Sequence, residues 1–450
     1  MKIVIVGIGK LGEYLTKLLA KENNEITLID INFSGKESLI NNEDVNYVEG
    51  NALNSNILIE AGITDADLLI SVMKSDSENI MCSLIGKKLG AKHTIARIKT
   101  PEYSNSVNII KDVLGLSMTI NPEALAASQI AQALSIPSAL DATSFFKGRM
   151  EVISLRVKDN SKLNGISIKE LSKKIKNKII VCAIERQDEV IIPSGDIKLF
   201  IGDKIHITGK RKDINIFLKY TKLISEKTKK VMIAGGSSIT LYLSKILIDM
   251  GMYVKIIEKD EQRCKFLSEE IPGALIIQGD ISNQNILYEE GIKECDAFVA
   301  LTSLDEENIV YSMFASSLSV PKVITKINHI NLDGIVKKAN IDTTIASHKI
   351  AANQVVQYIR AVENSGSSSC ESVYNFDDIF EVIEFKVKEN FKALNKKIKD
   401  LSIRDNLLIS AIQRGKNIIY PTGEDEIKLK DSILIIAKNG TLRDLNDLVK

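Results

Sequence analysis

The chain has 450 residues, 44% hydrophobic and 26% charged, which is enough apolar material for two to four domains with their own cores and too much for a disordered protein. Its 59 basic and 58 acidic residues leave a net charge of +1, a balance that argues against broad electrostatic binding to nucleic acid or to anionic lipid. No apolar run reaches the ~20 residues needed to span a bilayer, and Lys10 and Glu13 interrupt the first apolar stretch, so it reads as a strand and turn rather than a signal peptide.

In chain order, a strand at Lys2 to Val6 leads into a helix from Leu11 to about Lys21, then strands at Ile26 to Ile29, Asn46 to Glu49 and Leu68 to Val72. The helix carries Leu11, Leu15, Leu18 and Leu19 on one face, a stripe fit to lie on a sheet. A helix from Glu78 to Leu89, a strand at His93 to Ile98 and a closing helix from Pro122 to Leu134 complete this segment. Strands apolar on both faces and separated by helices predict a parallel, doubly wound, Rossmann-like sheet. A smaller α+β lobe follows, with strands predicted at Ile153 to Val157, Ile179 to Ile184, Val190 to Ile192 and Asp203 to Ile207 and a short helix at Ile166 to Leu171. Ser225 to Lys230 reads as a polar linker, and Asn364 to Ser369 as a flexible connector by composition.

The same order then repeats. Gly7 and Asp30 recur as Gly235 and Glu258, both 228 residues on, and the helix stripe recurs as Ile239, Leu243, Ile246 and Leu247. Asp76-Ser77-Glu78-Asn79 answers to Asp305-Glu306-Glu307-Asn308, Arg97 to Lys326, Glu151-Val152-Ile153 to Glu381-Val382-Ile383, and Pro193-Ser194-Gly195 to Pro421-Thr422-Gly423. This register marks an internal duplication. The predicted fold is α/β, with tandem Rossmann-like doubly wound parallel sheets, each followed by a small α+β lobe. The lobes are expected at 1–135, 149–224, 229–362 and 378–450.

Gly7, Gly9 and Gly12 stand in G-x-G-x-x-G after a strand and opening a helix. The first glycine permits the turn, the second lets backbone approach a pyrophosphate, and the third lets helix and sheet come close. Free amides at the helix start, those of Ile8, Lys10 and Leu11 among them, and the helix dipole favour phosphate. Asp30, 18 residues after Gly12 at a strand end, suits both ribose hydroxyls and repels a 2′-phosphate. Lys10 is either a charge beside a terminal phosphate or an exposed first-turn lysine. In the second copy Gly235, Gly236 and Glu258 remain, but Ser237 and Thr240 replace two glycines. That leaves a second nucleotide site or a scaffold that has lost its ligand.

Five cysteines without a C-x-x-C pair read as reduced thiols, and His93, His206, His329 and His348 lack metal-binding spacing, so no metal site is expected. A dehydrogenase needs an acid or base beside the nicotinamide and a substrate domain of useful size. Histidines are scarce here and each companion lobe is small, so no catalytic residue is assigned.

Together with Gly50-Asn51-Ala52, Ser75 to Asn79, Ala96-Arg97-Ile98 and Asn121-Pro122-Glu123, these motifs make the whole chain resemble the TrkA family, cytosolic subunits of bacterial Trk potassium-uptake systems built from two tandem units of the "regulator of potassium conductance" type. The resemblance implies a nucleotide on Gly7 to Leu11 with its ribose on Asp30, and Met73, Lys74 and Arg97 lining the rest of the cleft, with a structural ion pair as the alternative role for Arg97. NAD(H) is the first expectation, ATP or ADP the alternative. It further implies a homo-oligomeric ring on the cytoplasmic face of the membrane, held there by a potassium-translocating Trk-type subunit without direct membrane insertion. The rivals are a regulator of another cation channel or exchanger and, further off, an NAD-dependent oxidoreductase. Glu123 matches a position that binds a divalent cation in some related rings, but one carboxylate makes no metal site, and the first-turn acid of a helix is the simpler reading.

Overall fold

A computed structural model describes residues 1–450 except 23, 44, 102, 104–106, 108, 110, 112, 160, 176–177, 188, 224–226, 329–340, 342, 364–367, 377–379 and 439–441, and gives only the backbone of 38 and 42. Among the described residues the chain forms four sheets. The first is six-stranded and parallel: β1 (Lys2–Val6), β2 (Glu25–Asp30), β3 (Asn46–Glu49), β4 (Leu68–Ser71), β5 (His93–Arg97) and β6 (Met118–Ile120), in the order β3-β2-β1-β4-β5-β6. Ile3, Val4, Ile5 and Val6 of the central strand are all buried, as a strand covered on both faces requires. The order reverses between β1 and β4, so the turns after these two strands open one crevice at the carboxyl edge.

A five-stranded antiparallel sheet follows: β7 (Asp141–Phe145), β8 (Met150–Arg156), β9 (Ile179–Arg186), β10 (Glu189–Ile191) and β11 (Lys204–Gly209), in the order β10-β9-β11-β8-β7. Strand β7 lies ahead of residue 149, where the sequence opens the small lobe. Both architectures recur. β12 (Lys230–Ala234), β13 (Tyr253–Glu258), β14 (Leu275–Gln278), β15 (Ala297–Ala300), β16 (Lys322–Lys326) and β17 (Thr343–Ile345) form the second parallel sheet in the matching order. β18 (Ser368–Phe376), β19 (Phe380–Val387), β20 (Leu407–Arg414), β21 (Asn417–Ile419) and β22 (Ser432–Lys438) form the second antiparallel one. Part of the expected flexible connector is therefore strand: Ser368 is fully buried and its Oγ donates to Asp444 at 3.0 Å, while positions 364–367 lie outside the described residues. Of the expected linker, positions 225 and 226 also lie outside them, and Lys230 opens β12.

Six helices position the functional parts: α1 (Lys10–Ala20), α2 (Asp76–Leu89), α3 (Pro122–Ser135), α4 (Ser238–Asp249), α5 (Asp305–Ser317) and α6 (Ser347–Glu363). Their starts are written locally. Ser75 Oγ accepts the Glu78 amide to begin α2, and Asn121 Oδ1 accepts the Ala124 amide, with Pro122 following, to begin α3.

The leucine stripe of α1 meets more than its own sheet. Leu11, Leu15 and Leu19 share a core with Ala351, Ala352, Val355, Val356 and Ile359 of α6, which comes from the second half. Reciprocally, Ala126, Ala127, Ile130, Ala131 and Leu134 of α3 pack with Ile239, Leu243 and Leu247 of α4. Each parallel-sheet lobe thus lends its last helix to the other. Full burial of a leucine or isoleucine contributes about 1.5–3 kcal/mol, so several such side chains on each helix hold the exchange firmly. The alanines let the helix axes come close.

The two antiparallel sheets pack face to face. Phe145, Phe146, Met150, Val152 and Ala183 of one meet Phe376, Phe380, Val382, Leu434 and Ile436 of the other, with the Phe376 and Phe380 rings stacked 4.8 Å apart. Polar groups cross the junction too: the Phe146 amide donates to Glu384 Oε2 at 2.8 Å, and Tyr374 Oη donates to Asp141 Oδ2 at 2.9 Å. Arg360 of α6 joins three parts of the molecule, donating through Nη2 to Glu22 at 2.7 Å and through Nη1 to Glu381 at 2.9 Å.

The five cysteine thiols are free and buried. Of the histidines, His206 is fully buried between Ser154 Oγ and Glu185 Oε1, His93 Nδ1 lies 2.8 Å from Tyr358 Oη, and His348 stands edge-on to Tyr14; His329 lies outside the described residues. Among the described residues no helix is long and apolar enough to cross a membrane.

Candidate functional site

The crevice above β1 and β4 begins with Gly7, whose φ of +92° is open to glycine at little cost. A methyl group there would also stand 2.9 Å from the Met73 amide nitrogen, so the turn after β1 and the turn after β4 touch through this residue. Gly12 is required for a different reason, since a Cβ on it would lie 2.0 Å from the Gly7 carbonyl oxygen. Gly9 is different again. Its φ is −79° and nothing lies within 4 Å of where its Cβ would be, so the space over it is open. Gly9 is also the N-cap of α1 and supplies no capping side chain, which leaves the first-turn amides available to an anion.

Asp30 ends β2 beside this loop. Its Oδ2 accepts the Ile8 amide at 2.6 Å and its Oδ1 the Asn32 amide at 3.3 Å, so the carboxylate anchors the loop while facing the crevice mouth. The side chains of Ile8 and Leu11 are buried in the core, and anything they offer a ligand comes from their backbone. Lys10 and Lys74 are exposed at the rim, and Met73 is half-buried between them and the sheet.

Asn79 fixes the floor of the crevice. Its Oδ1 accepts the Met73 amide at 2.7 Å and the Ser71 hydroxyl at 3.0 Å, and its Nδ2 donates to the carbonyls of Met73 and Arg97 at 3.1 and 3.0 Å. One fully buried side chain thereby ties the ends of β4 and β5 to α2. Asp76 does the same for the next turn by accepting the Lys99 and Thr100 amides. The sequence marks both positions by their repetition, and the structure adds what they do. Asn308 repeats the arrangement on Thr302 and Lys326 in the second unit.

Arg97 takes the ion-pair role that its sequence position left open beside a ligand contact. Its Nη2 lies 2.7 Å from Glu123 Oε1, and both side chains are largely buried. Arg97 Nε and Glu123 Oε2 are buried with no hydrogen-bond partner, which leaves the pair with donor and acceptor capacity to spare. Lys326, the Arg97 counterpart, donates to the Thr302 carbonyl. Burial lowers its pKa, Asp305 opposes that shift, and Lys10 and Glu123 of the first unit are near enough to act on it in opposite senses. The two units meet beside this end of the first cleft. Tyr242 of α4 strengthens this junction, accepting from Asn121 Nδ2 and donating to the Lys99 carbonyl, both at 2.9 Å.

In the second cleft Gly235 keeps a φ of +98°, and the Gly236 amide donates to Glu258 Oε2 at 2.5 Å, matching Ile8 and Asp30. The helix start differs. Ser237 Oγ accepts the Thr240 amide at 3.3 Å, and the Thr240 hydroxyl donates to the Gly235 carbonyl at 2.6 Å. Among the described residues no group of three or more histidine, cysteine, aspartate or glutamate side chains is arranged to hold a metal ion.

A glycine loop open over Gly9, an uncapped helix start, an acid at the end of β2 and a floor pinned by Asn79 form a cleft suited to a nucleotide with two or more phosphates. Known proteins resemble the chain along its length. The TrkA-N domain model matches residues 3–122 and 231–347, and the TrkA-C domain model matches 152–222 and 382–450. The chain is 30% identical over 450 residues to the Trk system potassium uptake protein TrkA homolog of Archaeoglobus fulgidus, covering 100% of both chains. It is 27% identical over 443 residues to the Trk system potassium uptake protein TrkA of Vibrio alginolyticus, covering 98% of this chain and 96% of that one. Among solved structures, the GsuK channel bound to NAD has the same fold, with a TM-score of 0.63 at 17% identity, covering 97% of this chain and 76% of that one. With both domain models repeated in alternation and a relative aligned from end to end, the chain belongs to the TrkA family.

Proposed function

We propose that this protein is the cytosolic regulatory subunit of a Trk-type potassium-uptake system, binding NAD(H) or an adenine nucleotide in its first cleft and gating transport through a ring of copies on the membrane subunit. The observation that carries the reading is the open space over Gly9 beside an uncapped helix start, with Asp30 at the neighbouring strand end. Phosphates would take the amides of Lys10, Leu11 and Gly12, and the ribose hydroxyls would donate to Asp30. A carboxylate there repels a 2′-phosphate, which favours NAD(H), ATP and ADP over NADP. Relatives named as Trk system potassium uptake proteins and a channel of the same fold bound to NAD support the assignment of ligand and partner.

A regulatory role fits the construction of the chain. A ligand seated on the loop touches α1, whose buried face holds α6, and in chain order the next described element after α6 is β18 of the second antiparallel sheet. A ligand with different affinities for two ring geometries shifts their populations by that difference alone, and a coupling of ~1–3 kcal/mol changes transport about 5- to 150-fold. No residue is assigned a catalytic role: Asp30, Asp76 and Asn79 anchor backbone, and Arg97 pairs with Glu123.

Calorimetric titration of the purified chain with NADH, NAD, ATP and ADP, beside the Asp30→Ala variant, tests the ligand. Loss of charge-assisted hydrogen bonds worth about 1.5–3 kcal/mol should weaken binding roughly 10- to 150-fold. Absence of binding to all four would overturn the nucleotide reading. Recovery of a transporter other than a Trk-type subunit on co-purification from native membranes would overturn the partner.

A further inference from the structure

The duplication allows a position-by-position comparison of the two clefts, and the clefts differ most where a nucleotide would enter. Over Gly9 there is open space, and its counterpart in the second unit is Ser237; the neighbouring Gly236 stands where the first unit has Ile8, and the space beside it is filled. A Cβ on Gly236 would meet Leu267 Cδ1 at 2.8 Å, Glu258 Oε2 at 3.0 Å and Arg263 Cγ at 3.1 Å. Leu267 and Arg263 belong to the helix Glu261–Glu270, which begins just after the strand-end acid. Arg263 Nε donates to the Gly236 carbonyl, and its guanidinium lies 4.7 Å from the centre of the Phe266 ring. Burial there lowers the Arg263 pKa, against the pull of Glu258. In the first unit the position 228 residues earlier is Gly35, with a φ of +76° and nothing within 4 Å of its Cβ position.

A second difference is independent of this side chain. In α1 the amides of the first turn have no capping side chain. In α4 the Ser237 hydroxyl accepts the Thr240 amide, so one of the amides that would receive a phosphate is already satisfied by the protein. The Thr240 hydroxyl lies between the helix and the Gly235 carbonyl, where the first unit has only the bare α-carbon of Gly12. The helix start and the space beside the Gly236 carbonyl are thus filled by Ser237, Thr240 and Arg263, where the first unit has Gly9, Gly12 and Gly35.

We propose that the second cleft is closed by its own residues, with Arg263 as the closing side chain and Ser237 and Thr240 as internal substitutes for phosphate, so that each chain binds one dinucleotide or adenine nucleotide rather than two. The proposal rests on the first cleft being the nucleotide site. The second unit then keeps its acid, Glu258, to hold the Gly236 amide and not to meet a ribose.

Photolabelling of the full chain with 8-azido-ATP, followed by mass-spectrometric mapping of labelled peptides, separates the clefts. In the wild type the label is expected in peptides of the first unit only, at one per chain. In Arg263→Ala, which leaves the loop sequence intact, and more strongly in Ser237→Gly/Thr240→Gly/Arg263→Ala, label is expected in peptides spanning residues 235–267 as well, approaching two per chain. The same second-unit label should persist when Asp30→Ala is added. Wild-type labelling in residues 235–267, above all if lost in Arg263→Ala, would overturn the proposal by showing that Arg263 holds a nucleotide. Confinement of the label to the first unit in both opened variants, with circular dichroism unchanged, would overturn it too. A wild type labelled in neither unit with opened variants labelled in the second would leave the closure standing and remove the first cleft as the nucleotide site.

Discussion

Replacing Arg360 by methionine should loosen the joint between the two halves far more than removal of a surface ion pair. Its side chain is 3% exposed, as against 10% for Glu22 and 2% for Glu381, and the two contacts are 2.7 and 2.9 Å long. Burial disfavours the charge, but Glu381 and Glu22 outweigh it and hold the guanidinium pKa above its ordinary value, so the arginine stays charged at any working pH. Methionine fills much of the volume and leaves two carboxylates buried without their cation. Breaking a buried pair from one side costs about 3–5 kcal/mol, while exposed pairs contribute about 0–1 kcal/mol. The chain has several cores and a single global unfolding energy is not defined for it, so the measurement belongs on α6 itself. Amide hydrogen exchange in α6 under native conditions should accelerate by about two to four powers of ten in Arg360→Met. Glu22→Gln/Arg360→Met/Glu381→Gln, which carries no charge at the site, should recover most of the protection. Acceleration of less than about threefold in the single variant would mean that the triad is energetically a surface pair and would refute the reasoning.

The glycine loop gives a prediction in which stability and binding part company. Gly9→Ala should leave the thermal midpoint unchanged, since its φ is −79° and no atom stands near the new methyl, yet weaken nucleotide binding in calorimetry by crowding the phosphate; unchanged affinity would show that no ligand approaches there. Gly12→Ala should lower the thermal midpoint, because the new Cβ has to displace the Gly7 carbonyl from 2.0 Å; a midpoint equal to wild type would refute the close contact. Glu384 provides a pH test. Burial raises its pKa above 4.5, against the opposing hydrogen bonds from the Phe146 amide and Ser372, so its contribution to stability is complete below the unfolded value and is lost as pH rises through the raised folded one. Glu384→Gln keeps the acceptor without the charge. Its thermal midpoint should match wild type near about pH 4.5 and exceed it increasingly towards about pH 8; a gap that shrinks on raising the pH would refute the sign.

What could be read from the residues alone was what short-range physics writes into them. The glycines after β1, the acid ending β2 and the 3.6-residue stripe of α1 are local patterns, and with their repetition they fix two doubly wound sheets and an entry point for phosphate. The destination of an apolar face is not local. Ala126, Ile130 and Leu134 would pack as well on their own sheet as on α4, and only the folded chain decides between them. Strand β7 is hard to foresee because Asp141 to Ser144 is small and polar, and its pairing comes from Met150 to Ser154 beyond a tight turn. The Arg97 and Glu123 pair spans 26 residues, and no pattern of spacing announces that a lining residue will face a helix start. Arg263 sits in a polar helix with only Cys264 and Leu267 buried, and no motif announces its bond to the Gly236 carbonyl.

The exchange of last helices has a consequence for how such a protein can change. Two identical chains trading helices about a two-fold axis would experience every substitution twice, once on each side of the joint, and a residue harmful to either cleft would be harmful to both. Here both partners of the exchange are encoded in one strand, so Ser237 could arise without altering Gly9, and Arg263 without altering Gly35. Fusion turns a symmetric assembly into one whose two faces are free to specialise, while the shared helices keep them packed together.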